Sequence, residues 1–516
     1  MSLSIASRLA ESARRYPTKP AVILGDQKIP YAALWDQARR YAAVLRQRGV
    51  GPGDRVALLL PNIPHFPMAY YGALSLGAVV VPIHALLRAE EIRFVLEDAE
   101  ARLLVCAAPL LGEGAKGAEL AGVPVLCVLD GGDADVPGID ALAQQVEPIR
   151  SYVSRDADDD AVVLYTSGTT GQPKGAVLSQ LNMTMNAILA GTSVADIGAD
   201  DVVMGVLPLF HSFGQTCVMN AGFYAGATIL LMPRFDGPGA LDLMVRHGVT
   251  LFSGVPTMFI ALLDAARSDD RRPPLRSATS GGASMPAAVI EKFKDVFAID
   301  VYEGYGLSET APVATFNQEE FGRRVGSIGH PIWGVEVDIA RADVEDRVEL
   351  LPPGEVGEVV IRGHNVMKRY HNRPEATAAA IVDGWFRSGD LGRKDDEGFL
   401  YIVDRKKDLI IRGGFNVYPR EVEESLLRHP AVGQVAVIGL PDQRYGEEVC
   451  AVVVRSPEAA ERPDDEVAAE IVAWAKEHLG GHKYPRAVRF VAEFPLGPSG
   501  KVLKRELVAT LGEHGA

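Results

Sequence analysis

Short β-branched runs alternate with helical segments through the first three hundred of the chain's 516 residues. DRVALLL (54–60) ends at a Pro-Asn turn, PMAYYGALSLG (67–77) reads as a helix stopped by glycine, and AVVVPI (78–83) is β-branched again. The strand pattern returns in ARLLVCA (101–107), VPVLCVL (123–129), AVVLYTS (161–167), VVMGVLP (202–208), TILLM (228–232), VTLFSGVP (249–256) and IDVYEGYG (299–306). Such alternation predicts parallel α/β layers. Residues 130–160, rich in Asp and Gly, read as a surface loop. From about 325 the texture changes to short strands broken by Gly and Asp, as in GEVGEVVIRG and GWFRSGDLGRKDDEGFLYIV, which is how a small β-barrel or antiparallel sheet reads. After the charged patch DRKKD (404–408) come a helix, EVEESLLRHP, two strands and an amphipathic helix around 464–480, predicting a compact α+β domain. The expected architecture is a large α/β domain over 1–403, containing layered α/β subdomains plus a small β-barrel, a junction at 404–408 and a smaller α+β domain over 409–516.

Composition narrows the function classes. Hydrophobic residues make up 47% of the chain, enough apolar surface to build cores and exclude disorder over most of the length. The net charge of −15 argues against nucleic-acid binding, which needs a basic footprint, and against anchoring to anionic lipid by charge alone. Cys106, Cys127, Cys217 and Cys450 are scattered without a CxxC pair, so neither a structural zinc site nor a disulfide framework is expected. The N-terminal stretch reads as a short amphipathic helix in place of a signal peptide, and no apolar run reaches membrane-spanning length. A cytoplasmic location with at most peripheral membrane contact is the expectation.

The segment 165-YTSGTTGQPKG-175 follows an apolar strand and is dense in Gly, Ser, Thr and Lys. Its backbone N–H groups and hydroxyls are suited to phosphate oxygens, and Lys174 can neutralise charge. It is not a Walker A loop, because Pro173 precedes the lysine and Gly175 follows it. Together with 207-LPLFHSFG-214, 280-SGGAS-284, 302-YEGYGLSET-310, 385-WFRSGD-390, 401-YIVDRKKDLIIRGGFNVYPREVE-423 and 495-PLGPSGK-501, in that order, it resembles the adenylate-forming superfamily. That superfamily includes acyl-CoA synthetases, amino-acid adenylation domains and beetle luciferases. The resemblance is to its acyl-CoA synthetase branch, in particular medium- and long-chain fatty acid–CoA ligases and 4-coumarate–CoA ligase-like enzymes.

The resemblance implies a two-step reaction. A carboxylate attacks the α-phosphorus of ATP to give an acyl-adenylate and pyrophosphate, and a thiol then opens the mixed anhydride and releases AMP. Both first partners are anionic, so cations and preorganised donors are required. Lys501 matches the family's catalytic lysine, with Lys174 and Glu309 beside it. Glu309 resembles the Mg2+ ligand, with Thr166 close to the same ion, and a hard oxygen ligand suits magnesium. Thr166, Ser167, Gly168, Thr169, Thr170, Gly171 and Lys174 form the expected phosphate loop. Tyr305 is expected to stack on adenine beside the Gly281-Gly282-Ala283 backbone, with Glu303 and Gly304 in the same motif. Ser308 stands where many relatives carry threonine; either hydroxyl can donate to the α-phosphate. Asp390 resembles the ribose ligand, with Arg405 reaching ribose or phosphate. Lys407 matches a hinge about which a mobile C-terminal domain swings, presenting Lys501 for adenylation and the loop Gly413, Gly414 and Phe415 for thioester formation. The basic residues His482, Lys483, Arg486 and Arg489 either meet CoA phosphates or form a solvated face.

The acyl pocket is expected around His211, Phe213, Cys217, Val255, Gly281 and Gly282, apolar and fairly open. Phe210-His211-Ser212-Phe213 lacks the aspartate that would bind an amino acid's ammonium. A medium- or long-chain fatty acid is the first expectation and an aryl acid such as a cinnamate the second. ATP and CoA are the implied co-substrates, with Mg2+ as the metal. Delivery to a carrier protein acting in trans is an alternative to CoA, and a monomer and a homodimer are equally compatible. A light-emitting relative and a catalytically silent protein are the remaining readings; retention of Lys174, Glu309, Asp390 and Lys501 speaks against the silent one.

Overall fold

The alternation of apolar strands and helices produces two large sheets in the first part of the chain. The structure, a computed structural model, describes residues 3–129, 136–166, 172–495 and 502–512. They fall into two compact units, one of residues 1–337 and 361–386, the other of 338–360 and 387–516. The chain therefore crosses between them within the strands Val335–Ala340, Val356–Gly363 and Trp385–Lys394.

In the first unit, a seven-stranded sheet runs in the order Arg369–Tyr370, Lys174–Ser179, Asp160–Thr166, Val79–Pro82, Arg55–Leu59, Ala101–Ala107, Val125–Val128. Its central pairings are parallel, while Lys174–Ser179 is antiparallel to both of its neighbours. A nine-stranded sheet is built around the parallel strands Val301–Gly306, Ser277–Ser280, Leu251–Gly254, Val202–Gly205 and Thr228–Leu231. Its core is closed by an aromatic chain, Phe252–Phe259–Phe293–Phe297, with ring centroids 5.1, 4.9 and 4.4 Å apart. The helix His65–Ser75 is apolar all round, and its residues from Phe66 to Ser75 are buried. Gly72 lets it lie against the helix Tyr31–Gln47, since a Cβ there would sit 2.9 Å from the carbonyl oxygen of Ala38. The buried tyrosine hydroxyl at Tyr71 is satisfied by donating to Asn220 Oδ1 at 2.8 Å.

The second unit carries a five-stranded sheet ordered Phe415–Val417, Ile410–Arg412, Gly446–Arg455, Val432–Asp442, with Ala487–Phe490 parallel to Gly446–Arg455. Helices Pro419–Leu426 and Asp464–His478 supply Val422, Leu426, Val467, Ile471 and Ala475 to one core. Leu507, on the helix Lys504–Gly512, enters a second. This is the expected class, a large N-terminal α/β part and a smaller C-terminal α+β part. One local reading fails: the Asp/Gly-rich tract read as loop contains a helix, Ile139–Gln144, whose Ile139 and Ala143 are buried. Two apolar residues four apart are too weak a periodic signal to stand out there.

Candidate active site

Thr166 and Lys174 sit opposite each other in the antiparallel register of Asp160–Thr166 with Lys174–Ser179. The two strands thus form the base of the Gly/Ser/Thr-rich loop. Ser179 ends the second strand and starts the helix Gln180–Leu189 through a reciprocal cap: its hydroxyl accepts from Asn182 N–H at 3.1 Å and its own N–H donates to Asn182 Oδ1 at 2.7 Å. Ser167, Gly168, Thr169, Thr170 and Gly171, expected to grip phosphate, lie outside the described residues, as does Lys501.

Glu309 occupies the tight turn Ser308–Thr310 and is only 8% exposed. The turn is held from behind by the same helix: Asn186 donates to the carbonyl of Val313 at 2.8 Å and accepts from its N–H at 3.0 Å. Thr166 Oγ1 donates to Glu309 Oε1 at 3.2 Å, and the hydroxyl of Tyr370 donates to the same oxygen at 2.9 Å. Oε2 receives no hydrogen bond from a described residue. A nearly buried carboxylate with one oxygen held by two hydroxyls and the other available suits a hard divalent cation that completes its shell with phosphate and water. Among the described residues no cluster of three His, Cys, Asp or Glu could enclose a metal by itself. The geometry therefore fits Mg2+ held by Glu309 and Thr166 together with a nucleotide, and not a free-standing metal centre.

Tyr370 was not foreseen from the sequence. It belongs to a two-residue strand, Arg369–Tyr370, paired with Lys174–Ser179 and prolonged by the His371 N–H donating to the Gly175 carbonyl at 2.7 Å. Lys174 Nζ lies 5.4 Å from the centre of its ring. Burial, and then the neighbouring Glu309 carboxylate, push the phenol well above its ordinary range, so it remains a donor at every physiological pH. Behind it, Asp98 takes Arg373 on Oδ1 at 2.6 Å and the Tyr165 hydroxyl on Oδ2 at 2.7 Å.

The expected acyl-pocket residues meet in part. A Cβ at Gly281 would lie 3.2 Å from Phe213 Cε1, and one at Gly282 would lie 3.6 Å from Val255 Cγ1. Phe213 opens the widened helical turn Phe213–Asn220, which also carries the buried Cys217. Burial pushes that thiol up to about 12, so it stays neutral. His211 Nδ1 accepts from the Phe213 N–H at 3.3 Å, which makes the ring a brace for this turn. Ala283 follows in an exposed turn. Gly304 and Tyr305 pair with Phe316 and Thr315 in the sheet. Glu303 is buried and its carboxylate accepts from the Gly326 N–H at 2.9 Å, which anchors a loop.

In the second unit, Asp390 and Arg405 face each other in register, with Arg405 Nε 3.8 Å from Asp390 Oδ1. The turn before Asp390 is set by a buried ion pair the sequence did not reveal. Arg387 Nη2 meets Glu358 Oε2 at 2.8 Å, and Glu358 Oε1 accepts from the Gly389 N–H at 3.0 Å. Lys407 is exposed in the turn that follows Arg405. Gly413 and Gly414, at φ +58° and +83°, are the two central residues of the hairpin joining Ile410–Arg412 to Phe415–Val417. Both must be left-handed in a tight hairpin turn of this hand, which explains the glycine pair independently of any ligand. Phe415 is 60% exposed with its ring 5.1 Å from that of His482. Of the other basic candidates, Lys483 is paired with Glu421 at 2.7 Å, Arg486 donates to the Gly481 carbonyl at 2.6 Å, and Arg489 donates to the Val488 carbonyl at 3.3 Å.

A model described as AMP-binding enzyme matches residues 9–371, and one described as AMP-binding enzyme C-terminal domain matches residues 421–501. The chain is 36% identical to a long-chain-fatty-acid–CoA ligase of Bacillus subtilis, over 98% of this chain and 94% of the relative. It is 38% identical to a feruloyl-CoA synthase of an Amycolatopsis species, over 97% of each. Its structure superposes on that of ATP-bound MatB from Rhodopseudomonas palustris with a TM-score of 0.90 at 32% identity, over 100% of both chains.

Proposed function

The chain belongs to the AMP-binding enzyme family, and on that premise we propose that it is an ATP-dependent acid–CoA ligase whose acid is a medium- or long-chain fatty acid. The enzyme joins a carboxylic acid to CoA through an acyl-adenylate. The observation that carries the fatty-acid reading is the contact of Phe213 with Gly281, continued by Val255 beside Gly282 and the neutral thiol of Cys217 one turn along. An apolar lining of this kind rewards methylenes and offers an ionised second group nothing.

In the first step a carboxylate oxygen forms a bond to the α-phosphorus of ATP while the bond to the pyrophosphate oxygen breaks. Lys501 stabilises the charge between carboxylate and α-phosphate, Lys174 that on the departing pyrophosphate, and Ser308 donates to the α-phosphate. Tyr305 and the Gly281–Ala283 backbone hold adenine, and Asp390 with Arg405 holds ribose. Glu309 and Thr166 would hold Mg2+, which would neutralise charge on the phosphate oxygens. Catalysis at this stage is positioning and electrostatics, because the substrate is its own nucleophile. In the second step the CoA thiol gives up its proton as its sulfur bonds to the acyl carbon, the acyl–phosphate C–O bond breaks, and AMP leaves with a phosphate able to take that proton up. The hairpin Gly413–Phe415 guides the pantetheine arm, and rotation about Lys407 exchanges it for Lys501.

An aryl acid is the second reading, favoured by the relative named a feruloyl-CoA synthase. The test is acid-dependent release of pyrophosphate and AMP, with and without CoA, from acetate through octanoate and palmitate to cinnamates, malonate and amino acids. Turnover that peaks at octanoate or palmitate and needs CoA is expected. A peak at a cinnamate replaces the fatty-acid reading by the aryl one. Adenylate formation that CoA does not accelerate points to a carrier protein.

A further inference from the structure

Tyr370 combines three relations that no motif assigned to it. Its hydroxyl donates to Glu309 Oε1 at 2.9 Å, and its ring presents a face to Lys174 Nζ at 5.4 Å. Its backbone is stitched to the strand that carries Lys174. We propose that Tyr370 is a positioning residue for nucleotide and metal, fixing the Glu309 carboxylate in the rotamer that leaves Oε2 free and parking the Lys174 ammonium beside it. The inference rests on the reading of Glu309 as the Mg2+ ligand.

The physical argument begins with the carboxylate. The chain torsions of a glutamate are free unless something holds its oxygens, and a metal or nucleotide that must first order them binds more weakly. Thr166 alone leaves the carboxylate able to pivot about one hydrogen bond. The second donor on the same oxygen removes that pivot and selects the other oxygen for the cation. A hydrogen bond to an ionised acceptor is among the stronger ones. On the opposite side, an ammonium within about 6 Å of an aromatic ring is attracted to its face. The ring therefore keeps Lys174 from collapsing onto Glu309 and forming an ion pair that would spend both groups before the nucleotide arrives.

Tyr370 is itself braced. Three residues later Arg373 meets Asp98 Oδ1 at 2.6 Å, and the other oxygen of that carboxylate takes Tyr165, the residue before Thr166. One buried carboxylate thus grips the neighbours of both hydroxyls that donate to Glu309. The strand Arg369–Tyr370 is only two residues long and needs such an anchor.

The test uses the full chain with Mn2+ in place of Mg2+, followed by electron paramagnetic resonance in the presence of a non-hydrolysable ATP analogue. Tyr370→Phe keeps the ring and loses the hydroxyl; Tyr370→Leu loses both; Glu309→Gln is the reference. Tyr370→Phe is expected to weaken Mn2+ binding about tenfold, as loss of one charge-assisted hydrogen bond does. Its affinity for the analogue without metal should be unchanged, and Tyr370→Leu should also lose affinity for the metal-free analogue. The melting temperature without ligand normalises each variant to its folded fraction, so a purely structural defect is separated from a binding one. Wild-type Mn2+ affinity in Tyr370→Phe overturns the proposal. If Glu309→Gln also binds Mn2+ normally, the metal assignment itself has failed; if only Glu309→Gln loses it, the failure belongs to Tyr370 alone.

Discussion

Gly281→Ala tests the acyl pocket with a single methyl group. The new carbon would sit 3.2 Å from Cε1 and 3.3 Å from Cζ of Phe213, with the Gly304 carbonyl oxygen at 3.7 Å on another side. Carbon pairs rest at about 3.5–4.0 Å, so the Phe213 ring must retreat by roughly 0.3–0.5 Å. Phe213 is half-buried and can move. The backbone does not resist, because Gly281 does not lie in the left-handed region. The added methyl and the shifted ring take about one methylene's worth of room from the pocket, a change worth about 1–3 kcal/mol to an acid that fills it, or roughly 10–200-fold in kcat/KM. Steady-state kcat/KM with acetate, octanoate, palmitate and ferulate reads the effect. Acetate should be nearly unaffected and the bulky acids should lose one to two orders of magnitude. A uniform loss over all four acids, or no loss at all, refutes the placement of the acyl group against Phe213.

Three further outcomes are expected. Lys501→Ala should abolish adenylate formation yet spare thioester formation from supplied acyl-adenylate, and Gly414→Leu should do the reverse; equal loss of both half-reactions in either variant, followed by pyrophosphate and thioester assays, sinks the two-face domain model. Arg387→Met leaves the buried Glu358 with only the more distant Lys406 ammonium at 3.7 Å, so unfolding of the second unit in urea should require less free energy, by at most about 3–5 kcal/mol, against no change if the pair is solvated. Burial pushes the thiols of Cys106 and Cys217 up to about 12 and that of Cys450 to about 11. Raised values mean neutral thiols, so at pH 8 a maleimide should label none of the three until the protein is denatured; rapid native labelling at any of them, located by mass spectrometry, contradicts that burial.

What the sequence made legible was set by how local its cause is. Runs such as AVVVPI carry their own β-branched pattern, and the structure has a strand at Val79–Pro82. Thr166, Lys174 and Glu309 stood out as candidates because they sit in motifs that read as chemistry, and the structure brings Thr166 to Glu309 across 143 positions of chain. Tyr370 was missed because a two-residue strand has no periodicity, and a tyrosine after two basic residues looks like surface. Glu358 was missed because a charge inside GEVGEVVIRG reads as the outward side of a strand; only its partner Arg387, 29 residues on, makes it an interior residue. In both cases the cause is a contact made by folding, which no window along the chain contains.

The hairpin at Gly413 and Gly414 has a consequence for speed and not only for shape. A two-residue turn leaves almost no slack between its strands, so the aromatic at its far side, Phe415, is carried on a stiff arm although 60% of its surface faces solvent. An incoming thiol carrier would therefore meet a surface that has already surrendered its conformational freedom, and the ordering penalty that slows capture by a floppy loop would be absent. Lengthening the turn by one or two glycines would keep every side chain and still lower the rate of capture. If the hairpin guides the pantetheine arm as proposed, it would do so as a fixed kerb along which a long, flexible molecule is drawn in.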